Sequence, residues 1–162
     1  MRKKSVTKLA SSSQKDTEQI AYFVSHNLKG GEVFELVGDL GSGKTAFVRG
    51  LAKGLGSNDI VASPSFTLSR KYDSNSLTIY HFDFYRLNQP GVVAHELADT
   101  LDNPNNVTLV EWADIVRGVL PKKRLTIKFR HVGENERELE FKYPSDLDYL
   151  MKGLVAIVNS NH

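Results

Sequence analysis

The sequence predicts an α/β sandwich, a mixed β-sheet with antiparallel additions covered by helices. Two observations carry that expectation. The apolar run Val33–Val37 passes through a glycine-rich turn straight into a segment of helical period, the strand–turn–helix order of an α/β unit. Extended segments joined by short polar turns, at 73–76 and 133–135, add hairpins that a purely parallel sheet would lack. The 162 residues are expected to form one domain, because no repeat or long linker interrupts them and domains of roughly 100–150 residues are the commonest.

Each element has a local reason. Residues 1–12 are basic and Ser-rich, with Arg2, Lys3 and Lys4 and no acidic residue before Asp16. No apolar core follows those charges, so a secretory signal is not expected; a first edge strand or a frayed terminus is, set against an organellar transit peptide. Asp16 is expected to cap the first helix, with Gln19 reaching back three residues later. Ile20, Phe23, Val24 and Leu28 then recur at helical spacing until Gly30-Gly31 stops them. Beyond the glycine turn, Ala46, Phe47, Leu51 and Leu55 continue as a helix closed by Gly56. Extended segments at 66–72 and 77–84 form a hairpin, and a short helix at 92–101 runs into the Asn103-Pro104-Asn105-Asn106 turn. Residues 107–112 read as a buried strand. Leu125, Ile127 and Phe129 alternate with Thr126, Lys128 and Arg130, and a turn leads into a strand at 138–143. Ser145 is expected to cap a last helix with the stripe Leu147, Leu150, Met151, Leu154 and Val158.

Composition removes several function classes. With 21 Lys+Arg against 19 Asp+Glu the net charge is +2, too small for a dedicated nucleic-acid or membrane-surface binder. The chain has no cysteine, which excludes disulfides, thiolate metal sites and cysteine nucleophiles, and fits a reducing, cytoplasmic setting. No apolar run approaches the ~18 residues of a membrane span. His26, His81, His95, His131 and His162 lack metal-ligand spacing, and His81 is expected as a packed or hydrogen-bonded residue. No G-x-S-x-G elbow is present, so a serine-hydrolase triad is unsupported.

Gly38-Asp39-Leu40-Gly41-Ser42-Gly43-Lys44-Thr45 satisfies G-x-x-x-x-G-K-[ST] at every fixed position, between a strand and a helix as the mechanism requires. Glycines let backbone N–H groups wrap a phosphate, and the helix N-terminus adds its positive dipole end. The nucleotide-binding set is therefore Gly38, Asp39, Leu40, Gly41, Ser42, Gly43, Lys44, Thr45 and Ala46. Lys44 is placed on the β- and γ-phosphates and the Thr45 hydroxyl on Mg²⁺. The expected fold becomes a P-loop NTPase-like three-layer sandwich. A further acid must hold the cation or its water. Asp83 and Glu111 each close an apolar strand and fit equally well on spacing. Neither N-K-x-D nor D-x-x-G occurs, so ATP is preferred to GTP. Trp112, the single tryptophan, is read either as packing on a base or a partner, or as core filling.

These motifs, with Ser63-Pro64-Ser65-Phe66-Thr67-Leu68, His81-Phe82-Asp83-Phe84-Tyr85-Arg86-Leu87 and Leu109-Val110-Glu111-Trp112 in that order and spacing, resemble the TsaE (YjeE) family from about Asp16 to at least Pro121. Members of that family are small bacterial P-loop ATPases of tRNA threonylcarbamoyladenosine synthesis. The resemblance implies that Asp83 is the Walker B acid and that Ser63, Ser65 and Thr67 lie in a switch-like loop facing the γ-phosphate. It also implies that Glu111 lies near the metal and its water, and Trp112 beside the nucleotide. Lys44, Asp83 and Glu111 are then the catalytic set, and Thr45, Asp83 and Glu111 the metal set. ATP and Mg²⁺ are the implied cofactors. TsaB- and TsaD-like proteins are the implied partners, with tRNA reached indirectly through them and no membrane involved.

Two positions depart from the family pattern. Ser65 stands where threonine is usual, and Gly91-Val92-Val93-Ala94 replaces a commonly acidic segment, with Glu96 close by. A small-molecule kinase on the same loop is the alternative enzyme, although only Arg86 lies between Asp83 and Glu111 to serve a lid. A nucleotide-gated binding module that hydrolyses nothing alone is the other alternative. Arg124, Lys128 and Arg130 on one strand face are expected to pair with Glu138 and Glu140, with a tRNA-facing patch as the sharper reading.

Overall fold

The computed structural model describes residues 3–64, 67–89 and 91–154. In chain order they form β1 (Lys4–Ser11), α1 (Gln14–Ser25), β2 (Val33–Val37), α2 (Lys44–Gly54), β3 (Ser69–Asp73), β4 (Thr78–Asp83), α3 (Gly91–Leu101), β5 (Asn106–Glu111), β6 (Leu125–His131) and β7 (Arg137–Pro144). Two 3-10 turns, Ala113–Val116 and Ser145–Met151, follow β5 and β7. The seven strands make one sheet in the order β1-β7-β6-β2-β5-β4-β3. Its centre, β6-β2-β5-β4, is parallel, and β3, β7 and β1 add antiparallel edges.

Burial follows that topology. All six residues of β5 are buried, as a parallel strand covered on both faces demands, whereas β6 alternates. Phe34 and Leu36, Ile79, Val107 and Leu109, Leu125 and Ile127, and Leu139 and Phe141 point to one face and pack under α1 and α2. Val33, Phe82 and Val110, one residue out of phase, point to the other and pack with Leu97 of α3 and with Ala113 and Val116. Helix, sheet and helix make the expected three layers. The α3 side of β6 and β7 carries charges instead: Arg130 pairs with Glu138 at 3.9 Å and Glu140 at 3.7 Å, and Lys8 of β1 reaches Glu140 at 3.8 Å. Arg124 does not join this ladder. Its Nε donates to the buried Glu35 at 3.0 Å, because β2 lies beside β6 and places that carboxylate within reach.

Three helix ends differ from expectation; α1 stops at Ser25, so Leu28 packs on the core from beyond the helix. Ser13, not Asp16, caps α1: its Oγ accepts from the Asp16 N–H at 3.0 Å, while Asp16 Oδ2 accepts from the Ser12 N–H at 3.0 Å. The cap moves upstream because β1 ends at Ser11 and the helix starts at once. Asp16 in the first turn still favours the dipole. Ser145–Met151 is a 3-10 turn entered from Pro144 with no side-chain cap, so Ser145 lies inside it. Leu147, Leu150, Met151 and Leu154 are buried against the α1–α2 core, and the three-residue spacing of Leu147 and Leu150 suits a three-residue turn. Val158 lies outside the described residues. Among the described residues no helix is long and apolar enough to cross a membrane.

Candidate functional site

The site forms where the parallel strands end. β2 stops at Val37, the chain turns through residues 38–43, and α2 begins at Lys44 without a side-chain cap. Its first-turn N–H groups thus have no acceptor from their own helix, which suits an anion. Gly41 and Gly43 turn the loop at φ +77° and +109°, a region an L side chain enters only under strain. Gly43 is a fixed glycine of the motif, while at Gly38, the other, a Cβ would lie 2.6 Å from Ser42 Oγ.

Asp83 ends β4 and Glu111 ends β5, and the two residues are register partners on neighbouring parallel strands. Both carboxylates therefore arrive at the carboxyl end of the sheet beside the loop, the crevice where ligands of open α/β sheets bind. Asp83 is fixed locally: its Oδ1 accepts from the Tyr85 N–H at 3.0 Å, and its own N–H donates to the Leu68 carbonyl at 2.9 Å.

Glu111 is held from two sides. His81 Nε2 lies 2.5 Å from Glu111 Oε2, and Lys44 Nζ lies 3.3 Å from Glu111 Oε1. His81 is wholly buried, and Lys44 and Glu111 are 5% and 4% exposed, so this is an interior charge cluster rather than a surface pair. Burial raises the Glu111 pKa, but the His81 hydrogen bond and the His81 and Lys44 charges outweigh it and hold the carboxyl below its ordinary value. Lys44 also donates to the Gly38 carbonyl at 2.5 Å and stands 4.8 Å from the centre of the Trp112 ring. Trp112 adopts φ +55°, uncommon for a bulky residue, and its ring meets that of Tyr85 at 4.9 Å. The left-handed turn swings the indole back over the lysine.

A cleft of ≈430 Å³ opens above the loop. Leu40, Gly41, Gly43, Lys44, Thr45 and Ala46 form its floor, and Ser63, Asp83 and Glu111 close one end. The structure thus gathers most of the residues expected from sequence. Gly38, Asp39 and Trp112 instead line a recess of ≈190 Å³ on the other side of the loop, next to Glu35 and Arg117. Ser42 is buried, and its Oγ finds no hydrogen-bond partner among the described residues. Thr67 is exposed and donates to the Ser69 carbonyl at 3.0 Å, away from the cleft. Ser65 lies outside the described residues.

The donor chemistry fits Mg²⁺. The Thr45 hydroxyl and the Asp83 and Glu111 carboxylates are hard oxygen donors beside the uncapped start of α2. Among the described residues no three His, Cys, Asp or Glu side chains converge to cage a metal. An ion held by one or two carboxylates together with substrate phosphates and water is the usual Mg²⁺ arrangement.

The opposite end of the cleft was not anticipated from the sequence. Ser13, the cap of α1, and Gln14 and Thr17 in its first turn line it with Asn135 and Arg137. Nothing in the motif points to a hairpin turn some ninety positions later in the chain. Only the pairing of β6 with β2 brings that turn to the loop.

The model of the family described as "Threonylcarbamoyl adenosine biosynthesis protein TsaE" matches residues 11–139. The chain is 40% identical over 127 residues to the tRNA threonylcarbamoyladenosine biosynthesis protein TsaE of Bacillus subtilis (strain 168), covering 78% of each protein. It is 37% identical over 129 residues to the protein of that name from Treponema pallidum (strain Nichols), covering 80% of this chain and 95% of the relative. Among solved structures, the crystal structure of Bacillus subtilis YdiB superposes with a TM-score of 0.75 at 32% identity, covering 99% of both chains.

Proposed function

Because the chain belongs to the TsaE family of threonylcarbamoyl adenosine biosynthesis proteins, we propose that it is a Mg²⁺-dependent ATPase that serves the complex making threonylcarbamoyladenosine in tRNA. The observation that carries this reading is the convergence of the glycine loop, the uncapped start of α2 and the paired strand-end acids Asp83 and Glu111 on one cleft. The loop N–H groups and the Lys44 ammonium take the β- and γ-phosphates of ATP, and Thr45, Asp83 and Glu111 hold the cation. Bound Mg²⁺ supplies charge neutralisation on the phosphate oxygens.

Hydrolysis is an in-line attack of water on the γ-phosphate, and positioning with electrostatic stabilisation supplies most of the rate. Lys44 leaves Glu111 for the phosphates when ATP enters, since a multiply charged phosphate outcompetes a single carboxylate for one ammonium. Glu111, still held by His81, is then available to the cation and its water. Partners of the TsaB and TsaD kind, with tRNA bound through them, are the assembly this cycle serves, in the cytoplasm.

Mg²⁺-dependent ATP hydrolysis, measured on the purified chain alone and with its host's TsaB and TsaD homologues plus tRNA, tests the proposal. Slow turnover that the partners stimulate, and that Lys44→Ala abolishes without unfolding the protein, is the expected result. Unchanged turnover in Lys44→Ala removes the site assignment, and ATP binding without any response to the partners removes the pathway assignment.

A further inference from the structure

We propose that the uncovered face of β1, β7 and β6 is a contact surface for the phosphate backbone of duplex RNA. The register of the sheet assembles it. Lys8 of β1 pairs with Glu140 of β7, and Glu140 with Lys128 of β6, so the three residues form one row across the strands. The next row on one side carries Lys142, the next on the other carries Arg130 beside Glu138, and Lys4 stands at the start of β1. Among the described residues no helix covers these rows. α1 and α2 pack on the opposite face with Leu139 and Phe141, and Leu97 of α3 packs with residues of β2, β4 and β5.

Positive charge is concentrated on this face. Lys4, Lys8, Lys128, Arg130 and Lys142 stand against Glu138 and Glu140, five cations to two carboxylates, an excess of three where the whole chain carries +2. The small net charge of the chain therefore conceals a one-sided distribution. The cations also stand higher than the acids. The Lys8 and Arg130 side chains are 55% and 52% exposed, those of Glu138 and Glu140 34% and 14%. Lys4, Lys128 and Lys142 are exposed and reach no carboxylate among the described residues. An approaching polyanion thus meets ammonium and guanidinium groups first. The pairs that Lys8 and Arg130 do make are long, at 3.7 to 3.9 Å, and half-exposed, so they give up these cations at little cost.

RNA is the polyanion that the role proposed above brings to this molecule, and the inference rests on that reading for its ligand. Phosphates are held by charge, whereas single-stranded bases are held by aromatic side chains on which they stack. Beside its charged residues the face holds Val6, Ala10, Thr126 and Pro144, and no aromatic residue among those described. A contact of this kind is independent of sequence and favours the dense charge of a duplex. The exposed Lys122 and Lys123 lead into β6 at the Lys142 end and extend the same charge. None of these side chains lines the nucleotide cleft, so the surface can be altered without touching it.

Fluorescence anisotropy with a dye-tagged tRNA transcript, in the absence of nucleotide, tests the surface. The wild-type chain should bind it with a Kd of roughly 1–100 µM near physiological salt, and more tightly than it binds oligouridylate of the same length. Lys8→Ala, Lys128→Ala and Lys142→Ala combined should weaken tRNA on the order of tenfold. The slope of log affinity against log salt should flatten by about two to three, since each lost phosphate contact removes about one. All three positions are exposed, so circular dichroism and basal ATP hydrolysis should stay unchanged. Lys15→Ala, Lys53→Ala and Lys71→Ala combined, exposed on α1, α2 and β3, remove the same charge elsewhere and should weaken tRNA less than about twofold. Equal loss in the two triple variants means that net charge alone attracts the RNA, and overturns the proposal. So does wild-type protein that binds no tRNA at about 50 mM salt, or that binds oligouridylate as tightly as tRNA. If wild-type protein binds no RNA but the first triple variant loses stimulation by the partners, the face contacts an acidic protein surface instead, which also overturns it. RNA binding by a chain that hydrolyses no ATP refutes the nucleotide reading and leaves the surface standing.

Discussion

Replacing His81 tests the internal support of the site. His81 Nε2 and Glu111 Oε2 are 2.5 Å apart, with the histidine wholly buried and the glutamate 4% exposed. A hydrogen bond to a charged group contributes about 1.5–3 kcal/mol. His81→Ala also empties the ring volume and leaves Glu111 buried with Lys44 as its remaining charged partner. Together these place the cost at about 3–5 kcal/mol, the range for breaking a buried pair. For a chain of this size that is roughly 6–20 °C in Tm. Urea denaturation at neutral pH without nucleotide, on the wild type, His81→Ala, Glu111→Gln and the double variant, isolates the pair. A coupling energy of about 1.5–3 kcal/mol is expected; additivity within about 0.5 kcal/mol would refute the reasoning. The pH dependence has a definite sign. Glu111 has a lower pKa folded than its ordinary 4.5, so its contribution is present above that value and is lost as the pH falls through the folded pKa. The coupling should therefore collapse in acid and persist at neutral pH.

Other expectations follow from single contacts. Gly50→Ala directs a methyl group at the Glu18 carbonyl and to 2.8 Å from Ala21 Cβ, forcing α1 from α2; a loss of about 1–3 kcal/mol in denaturation is expected. Trp112 fluorescence should change when ATP binds, since Lys44 leaves its place 4.8 Å from the ring; a silent signal with binding confirmed by calorimetry means the lysine stays put. Arg130→Ala should lower stability by less than about 1 kcal/mol, and the difference should shrink as salt is added, because its pairs at 3.7 and 3.9 Å are long and the guanidinium is half-exposed.

Much of the fold could be read locally. Val33–Val37 and the helix after Lys44 form where the apolar pattern places them, and the 73–76 turn closes the β3–β4 hairpin. The errors are local too. At the start of α1, Ser12, Ser13 and Asp16 all offer cap chemistry, and the end of β1 decides among them. At the end of the chain, i, i+3 apolar spacing serves a 3-10 turn as well as an α-helix.

The glycine loop belongs to the sequence by itself, because its geometry depends on residues adjacent in the chain: Gly41 and Gly43 for positive φ, then Lys44 and Thr45 at the helix start. Spacing could not rank Asp83 and Glu111 as candidate acids, and the sheet sets them side by side. Parallel pairing of β4 with β5 brings both acids to one level beside the loop. The same pairing sets His81 behind Glu111, and the β2–β6 pairing carries Asn135 and Arg137 to the far end of the cleft. Those neighbours are distant in sequence, and strand order, which no local propensity encodes, is what made them meet.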